Sequence, residues 1–193
     1  MVKTPSHIII THKTMLLGIE EPRMMFEIWM DFKWSTLGYS FFVNNQFENE
    51  IESLWVLKHN SVTIDSFFND PQLVTLSCYF QYFSISLTFL YASNLYTRRR
   101  YLWRNLVSNS EKMTTSWILI GDFNAIMRPD EKTGNNLYRA SANEFSSFID
   151  QCGLFEVPKA GAHFNWSRYT LNGRQSSKLD GCLVQVAENG DAV

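Results

Sequence analysis

The run Trp117-Ile118-Leu119-Ile120-Gly121-Asp122-Phe123-Asn124 sets a carboxylate and a carboxamide two residues apart at the end of a short apolar segment. The apolar residues read as a buried strand and Gly121 permits a close turn. Alternation then puts Asp122 and Asn124 on one face, with Phe123 in the core. An anionic acceptor beside a neutral amide can hold a divalent ion, orient a water and contact a phosphoryl oxygen. The same two residues also close a strand as an ordinary Asx turn, so the pair alone does not decide between chemistry and geometry. A second acidic pair ends another apolar run. Met15 to Ile19 reads as a strand that stops at Glu20-Glu21-Pro22-Arg23, where the proline halts regular pairing.

The elements that must carry these groups follow from periodicity. Short β-type runs fall at 41–43, 54–57, 62–68, 73–80 and 82–92, the last alternating apolar residues with Ser or Thr before it ends at Tyr91-Ala92-Ser93-Asn94. Residues 24–34 suit a helix packed on a sheet. A second helix is expected over 96–108, with Leu102 and Leu106 four apart and Arg98-Arg99-Arg100 on its outer side. A third spans 141–152: Ser141 and Glu144 form a capping box, Phe145, Phe148, Ile149 and Cys152 make one apolar face, and Gly153 stops the helix. Phe164 and Trp166 share a face of a further strand, and Leu179 to Val186 form another. Helices with one apolar face alternating with strands imply an α/β protein of the α+β type, a four-layer sandwich of two packed mixed β-sheets with outer helices. No repeat, low-complexity tract or Pro/Gly linker divides residues 1–193, so one domain is expected.

Composition restricts the classes available. At 193 residues, 45% hydrophobic and 19% charged, with 15 Phe, 8 Tyr and 6 Trp, the chain has the makings of an aromatic-rich core and not of a disordered segment. A formal charge of −2 gives no global basic field, so nucleic-acid contact would have to come from local patches. The three cysteines, Cys78, Cys152 and Cys182, have neither disulfide-framework nor zinc-knuckle spacing, which fits a reducing compartment. With no apolar run near 18 residues and no signal-peptide pattern, an intracellular protein of nucleus or cytoplasm is expected, with no membrane partner.

Gly121-Asp122-Phe123-Asn124-Ala125-Ile126, Glu131-Lys132 with Gly134 behind it, the helix at 141–152, Phe164-Asn165-Trp166-Ser167 and Lys178-Leu179-Asp180 occur in one order. That ordered set resembles the endonuclease/exonuclease/phosphatase family, and within it the endonuclease domain of plant LINE-type (non-LTR) retrotransposons. The resemblance implies a Mg²⁺- or Mn²⁺-dependent phosphodiester hydrolase acting on DNA. Glu21, followed by Pro22-Arg23, matches the family's metal-binding glutamate, with Glu20 as rival. Tyr91 and Asn94 match a Tyr-x-x-Asn near the scissile phosphate, and Asp122 and Asn124 the pair that positions water and phosphate. Asp180 matches the aspartate that orients a catalytic histidine. Trp166 would pack near the nucleic-acid face or fill the core.

Three departures qualify what the resemblance implies. The family's Ser-Asp-His run has no counterpart after Asp180, the strand bearing its first asparagine has none before Glu21, and Ile51-Glu52-Ser53 stands where relatives show Gly-Gly. The chain thus reads as such a domain incomplete at both ends, able to bind metal better than to turn over. Two alternatives follow. One is a catalytically dead remnant or non-enzymatic nucleic-acid-binding domain. The other is a phosphomonoesterase or inositol-phosphate phosphatase of the same superfamily. His163, before Phe164, reads as structural.

Overall fold

The computed structural model describes residues 15–22, 34–45, 53–80, 83–134, 137–158, 160–171 and 173–187. In chain order these hold β1 (Leu16–Glu20), β2 (Tyr39–Asn44), β3 (Leu54–His59), β4 (Thr63–Asp70), β5 (Leu73–Phe80), β6 (Phe83–Tyr91), helix α1 (Tyr96–Ser110) and β7 (Trp117–Asp122). Helix α2 (Arg139–Gln151), β8 (Phe155–Glu156), β9 (Trp166–Thr170), β10 (Gly173–Ser177) and β11 (Asp180–Gln185) follow.

The larger sheet runs β4-β5-β6-β7-β11-β8 and the smaller β1-β3-β2, while β9 and β10 pair with each other as a separate hairpin. Parallel neighbours need a crossover, and α1 supplies it between β6 and β7, the parallel pair of the larger sheet. The strand pairs of the smaller sheet are antiparallel.

The sheets face each other. Leu54 and Val56 of β3 meet Val74, Leu76 and Cys78 of β5 and Phe89 of β6 in a dry inter-sheet core. The opposite face of the larger sheet is covered by the helices: Leu102, Trp103 and Leu106 of α1 and Phe145, Phe148 and Ile149 of α2 pack on Leu90, Trp117 and Leu119. The Trp103 ring stacks on Phe148 at 5.0 Å and lies 6.4 Å from Phe123, so the residue between Asp122 and Asn124 is locked into the aromatic core. Trp117 is fully buried, and its indole N–H donates to Thr88 Oγ1 at 2.8 Å, so its one polar side-chain atom is satisfied.

Outside the smaller sheet, Trp34, Tyr39 and Leu57 form a third cluster. The helix expected there at 24–34 lies outside the described residues except for Trp34, which opens a 3-10 turn, Trp34–Leu37. Ile51 and Glu52, expected to stand where the resembled family shows Gly-Gly, are also outside them. The result is a mixed α/β sandwich of two packed sheets with helices on an outer face. No helix among the described residues is long and apolar enough to cross a membrane.

Candidate active site

Three neighbouring strands end in one row. In the parallel β6–β7 pair Tyr91 is the register partner of Asp122, and in the antiparallel β7–β11 pair Asp180 is also the partner of Asp122. Adjacent strands lie about 4.8 Å apart, so the row brings a phenol and two carboxylates together although Tyr91 and Asp180 are distant in sequence.

The smaller sheet supplies the other side. Glu20 Oε1 accepts the Asp122 backbone N–H at 3.1 Å, and Glu21 Oε1 accepts the Tyr91 hydroxyl. Glu21 has φ 43°, a left-handed conformation unusual for glutamate, held by its N–H donating to the Ser53 carbonyl at 2.9 Å. Such a conformation costs about 1–3 kcal/mol and persists where its surroundings over-determine it; here it turns the second acid toward Tyr91.

Gly121 makes the approach possible. With φ 144°, it would carry a methyl group, if one were added, 1.9 Å from the Leu90 carbonyl oxygen and 2.9 Å from Glu20 Oε1. The glycine thus serves close backbone approach inside β7 and not a turn.

The charges are poorly compensated. Burial, then the Asp180 and Asp122 charges, push the Glu20 carboxyl up to about 7. Burial, with Asp180 and Glu21 adding and the Asn124 N–H opposing, pushes Asp122 up to about 6. Burial, then the Glu21 hydrogen bond, raises the Tyr91 phenol above its ordinary value. Raised acids in a cleft mark either a functional site or a strained cluster, and a divalent cation would relieve both. Hard oxygen donors of this kind suit Mg²⁺, which takes one or two carboxylates and keeps several waters. Among the described residues no three His, Cys, Asp or Glu side chains are gathered closely enough to hold a metal ion together.

The sequence matches no family model and no curated protein. Solved structures do match. The endonuclease domain of TRAS1, a telomere-specific non-LTR retrotransposon, superposes with TM-score 0.66 at 12% identity over 95% of this chain and 77% of that one. The 3′ phosphatase NExo from Neisseria, bound to a product DNA hairpin, gives 0.67 at 12% identity over 93% and 79%. TDP2 from D. rerio, complexed with single-strand DNA product, gives 0.65 at 11% over 96% and 76%. This is the endonuclease/exonuclease/phosphatase fold.

Within that fold the remaining candidate residues are placed unevenly. Asn124 does not alternate along a strand with Asp122, because β7 ends at Asp122 and Asn124 sits at φ 47°. An Asx turn holds it there, its N–H donating to Asp122 Oδ1 at 2.7 Å and its amide to the Ala92 carbonyl at 2.7 Å. Chemistry and turn geometry therefore coexist at this pair. Asn94 is exposed where α1 begins. Trp166 is 39% exposed and not in the core; the Arg168 guanidinium lies 5.5 Å above its ring. Phe164 falls before β9, so the two aromatics do not share a strand face.

His163 donates to the Asp130 carbonyl at 3.0 Å, and His59 pairs with Ser61 Oγ at 2.7 Å. These two described histidines thus use their rings outside the acidic row.

Several groups that position the site were misread or unremarked in the sequence. Arg99 is 7% exposed, not on a solvated helix face. Its guanidinium donates to the Ser93 and Asn94 carbonyls at 2.7 and 2.9 Å and to Ser141 Oγ at 3.1 Å, and its charge favours ionised Asp122. Ser141 and Glu144 do not cap α2, which begins earlier, at Arg139. Glu144 instead accepts Tyr96 and Arg100 from α1.

Glu131, 3% exposed, accepts the Met127 and Arg128 N–H groups and pairs with Arg128 and Lys178, tying the segment after Asn124 to the one before Asp180. Buried Asn45 takes the Ser53 and Leu54 N–H groups and donates to Ser53 Oγ and the Pro71 carbonyl. The adjacent Asn-Asn in sequence gave no sign of this. Only the triple arginine and the Glu-Lys spacing offered a signal for the others.

Proposed function

We propose that this chain is a divalent-metal-dependent phosphodiester hydrolase acting on DNA, of the retroelement endonuclease type. The observation that carries the reading is the row of Tyr91, Asp122 and Asp180 on three adjacent strands, faced by Glu20 and Glu21 from the other sheet. The fold likeness supports it, and so do the DNA products bound by two of the similar structures.

Glu21 and Glu20 are the carboxylates that would hold Mg²⁺ or Mn²⁺, and Asp122 stands beside them. When bound, the ion supplies charge stabilisation for the phosphoryl oxygens. Asp122, its backbone fixed by Glu20 and its carboxylate by the Asn124 N–H, orients the attacking water. The Tyr91 hydroxyl, which donates to Glu21, would turn that single donation to a phosphoryl oxygen as charge develops there, leaving Glu21 to the ion. Asn124 contributes a second neutral contact from its turn. Asp180, on β11 beside β7, adds to the negative field that draws a cation to the row. The β9–β10 hairpin ahead of Asp180 presents Trp166, Arg168 and Arg174, with Tyr169 and Leu171 highly exposed, as a local basic and aromatic surface for the duplex.

Plasmid nicking tests the reading. Conversion of supercoiled to open-circular DNA in Mg²⁺, absent in EDTA and abolished by Asp122→Ala, is the expected result. DNA binding without nicking would instead support the second reading, a binding domain without turnover, which the engagement of the His59 and His163 rings by Ser61 and the Asp130 carbonyl favours.

A further inference from the structure

A groove of about 590 Å³ opens directly beside Tyr91, between the β4–β5 turn and one stripe of α1. Arg98, Tyr101, Leu102 and Asn105 recur at i, i+3, i+4 and i+7, so the helix periodicity itself lays them along one wall. Leu102 is buried and anchors that wall, while Tyr101 is 65% exposed. The opposite wall is held by hydrogen bonds. Gln72 accepts the Ser93 N–H at 2.7 Å and donates to the Arg98 carbonyl at 3.3 Å, and its own carbonyl accepts the Tyr91 N–H at 2.9 Å. Asn45, bonded to the Pro71 carbonyl and Ser53, holds the turn from behind.

We infer that this groove is the subsite for the nucleotide next to the scissile phosphodiester, with its base stacked on Tyr101 and its phosphate at Arg98. The inference rests on the phosphodiesterase reading above and adds where the flanking chain runs. Three features match the parts of one nucleotide. An aromatic plane suits any base, since every base has a π-face. A guanidinium suits a phosphate through charge-assisted hydrogen bonds. Asn105, neutral and exposed, can meet a base edge with donor or acceptor. The volume lies within the range of small-ligand clefts, and the groove joins the site at the very residue assigned to the phosphoryl oxygen. The second groove on α1, lined by Arg100, Arg104 and Glu144, faces α2 and lacks that continuity.

The test is binding of a fluorescein-labelled single-stranded oligodeoxynucleotide by anisotropy, in EDTA so that turnover does not intrude, over a series of salt concentrations. Tyr101→Leu is expected to weaken binding roughly tenfold, within the range measured for base–aromatic stacking, and Tyr101→Phe to restore it. Arg98→Gln should reduce the slope of log affinity against log salt by about 0.7, the share of one single-strand phosphate. Arg104→Gln, on the same helix but in the other groove, should leave both within about twofold. Wild-type affinity in Tyr101→Leu, or equal effects of Arg98→Gln and Arg104→Gln, would overturn the subsite while leaving the hydrolase reading standing. A wild-type chain that neither binds the oligonucleotide nor nicks DNA would overturn both.

Discussion

Acidification should stabilise the metal-free protein, and a divalent cation should remove the effect. Glu20 and Asp122 are pushed from 4.5 and 3.8 to about 7 and about 6. An acid whose pKa is raised by folding binds protons more tightly in the native state. Stability is therefore gained as pH falls through about 7 to 5.5 and lost as pH rises again. Taken at face value, the two shifts amount to about 3 kcal/mol between pH 8 and pH 5.5. Both groups are only partly buried and answer to the same neighbours, so about 1.5 kcal/mol is the expected gain. Urea denaturation at the two pH values measures it directly. Asp122→Asn keeps the acceptor for the Asn124 N–H but deletes one charge; it should be more stable than the wild type at pH 8 and show a flatter pH dependence. Millimolar Mg²⁺ should raise wild-type stability at pH 8, since binding to the native state alone is stabilising. A metal-free protein that loses stability between pH 8 and 5.5, or one indifferent to Mg²⁺, would show that the four acids do not form one cation-seeking cluster.

Gly121→Ala should lower unfolding stability by about 3–5 kcal/mol, from a backbone conformation reserved for glycine and a methyl driven into the Leu90 carbonyl; an unchanged urea midpoint would refute the close approach. Glu131→Gln should cost about 2 kcal/mol, because the buried side chain loses its charged bonds to the Met127 and Arg128 N–H groups and its pairing with Arg128, while Lys178 keeps Glu156. The melting temperature should drop by about 4–8 °C, and a second change, Lys178→Met, should not recover it, since Lys178 is still paired with Glu156. Tyr91→Phe should reduce nicking roughly 10²-fold with the urea midpoint nearly intact, a split that a packing role for the ring would not produce.

The strand ends were legible because they are governed by local rules. The apolar run into Gly121-Asp122, the Glu20-Glu21-Pro22 stop and the alternation that ends at Tyr91 each announce a boundary, and the sheet order then brings those boundaries together. What sequence did not disclose depends on distant partners. Arg99 looks like its neighbours Arg98 and Arg100, yet it is the arginine whose helix position points at the Ser93 and Asn94 carbonyls. Ser141 and Glu144 satisfy the spacing of a capping box, but the helix began two residues earlier and both side chains found tertiary partners on α1. Asn124 was placed beside Asp122 by the wrong device: strand alternation predicted a shared face, whereas a left-handed turn supplies the position. Trp166 could not be assigned because an aromatic residue in a short strand reads the same in a core and on an exposed hairpin.

The place of β11 in the larger sheet sets a clock on the ribosome. It lies between β7 and β8, both made before it, so β7 waits with one open edge and β8 with no partner until residues near Asp180 emerge. Asp122 and Asp180 are separated by about 60 residues, roughly 3–12 s of synthesis at ordinary elongation rates. Throughout that interval the nascent chain carries the two glutamates, the tyrosine and the first aspartate without the strand that completes their row. The row is thus completed in a single late step, when β11 pairs with β7 and brings Asp180 beside Asp122.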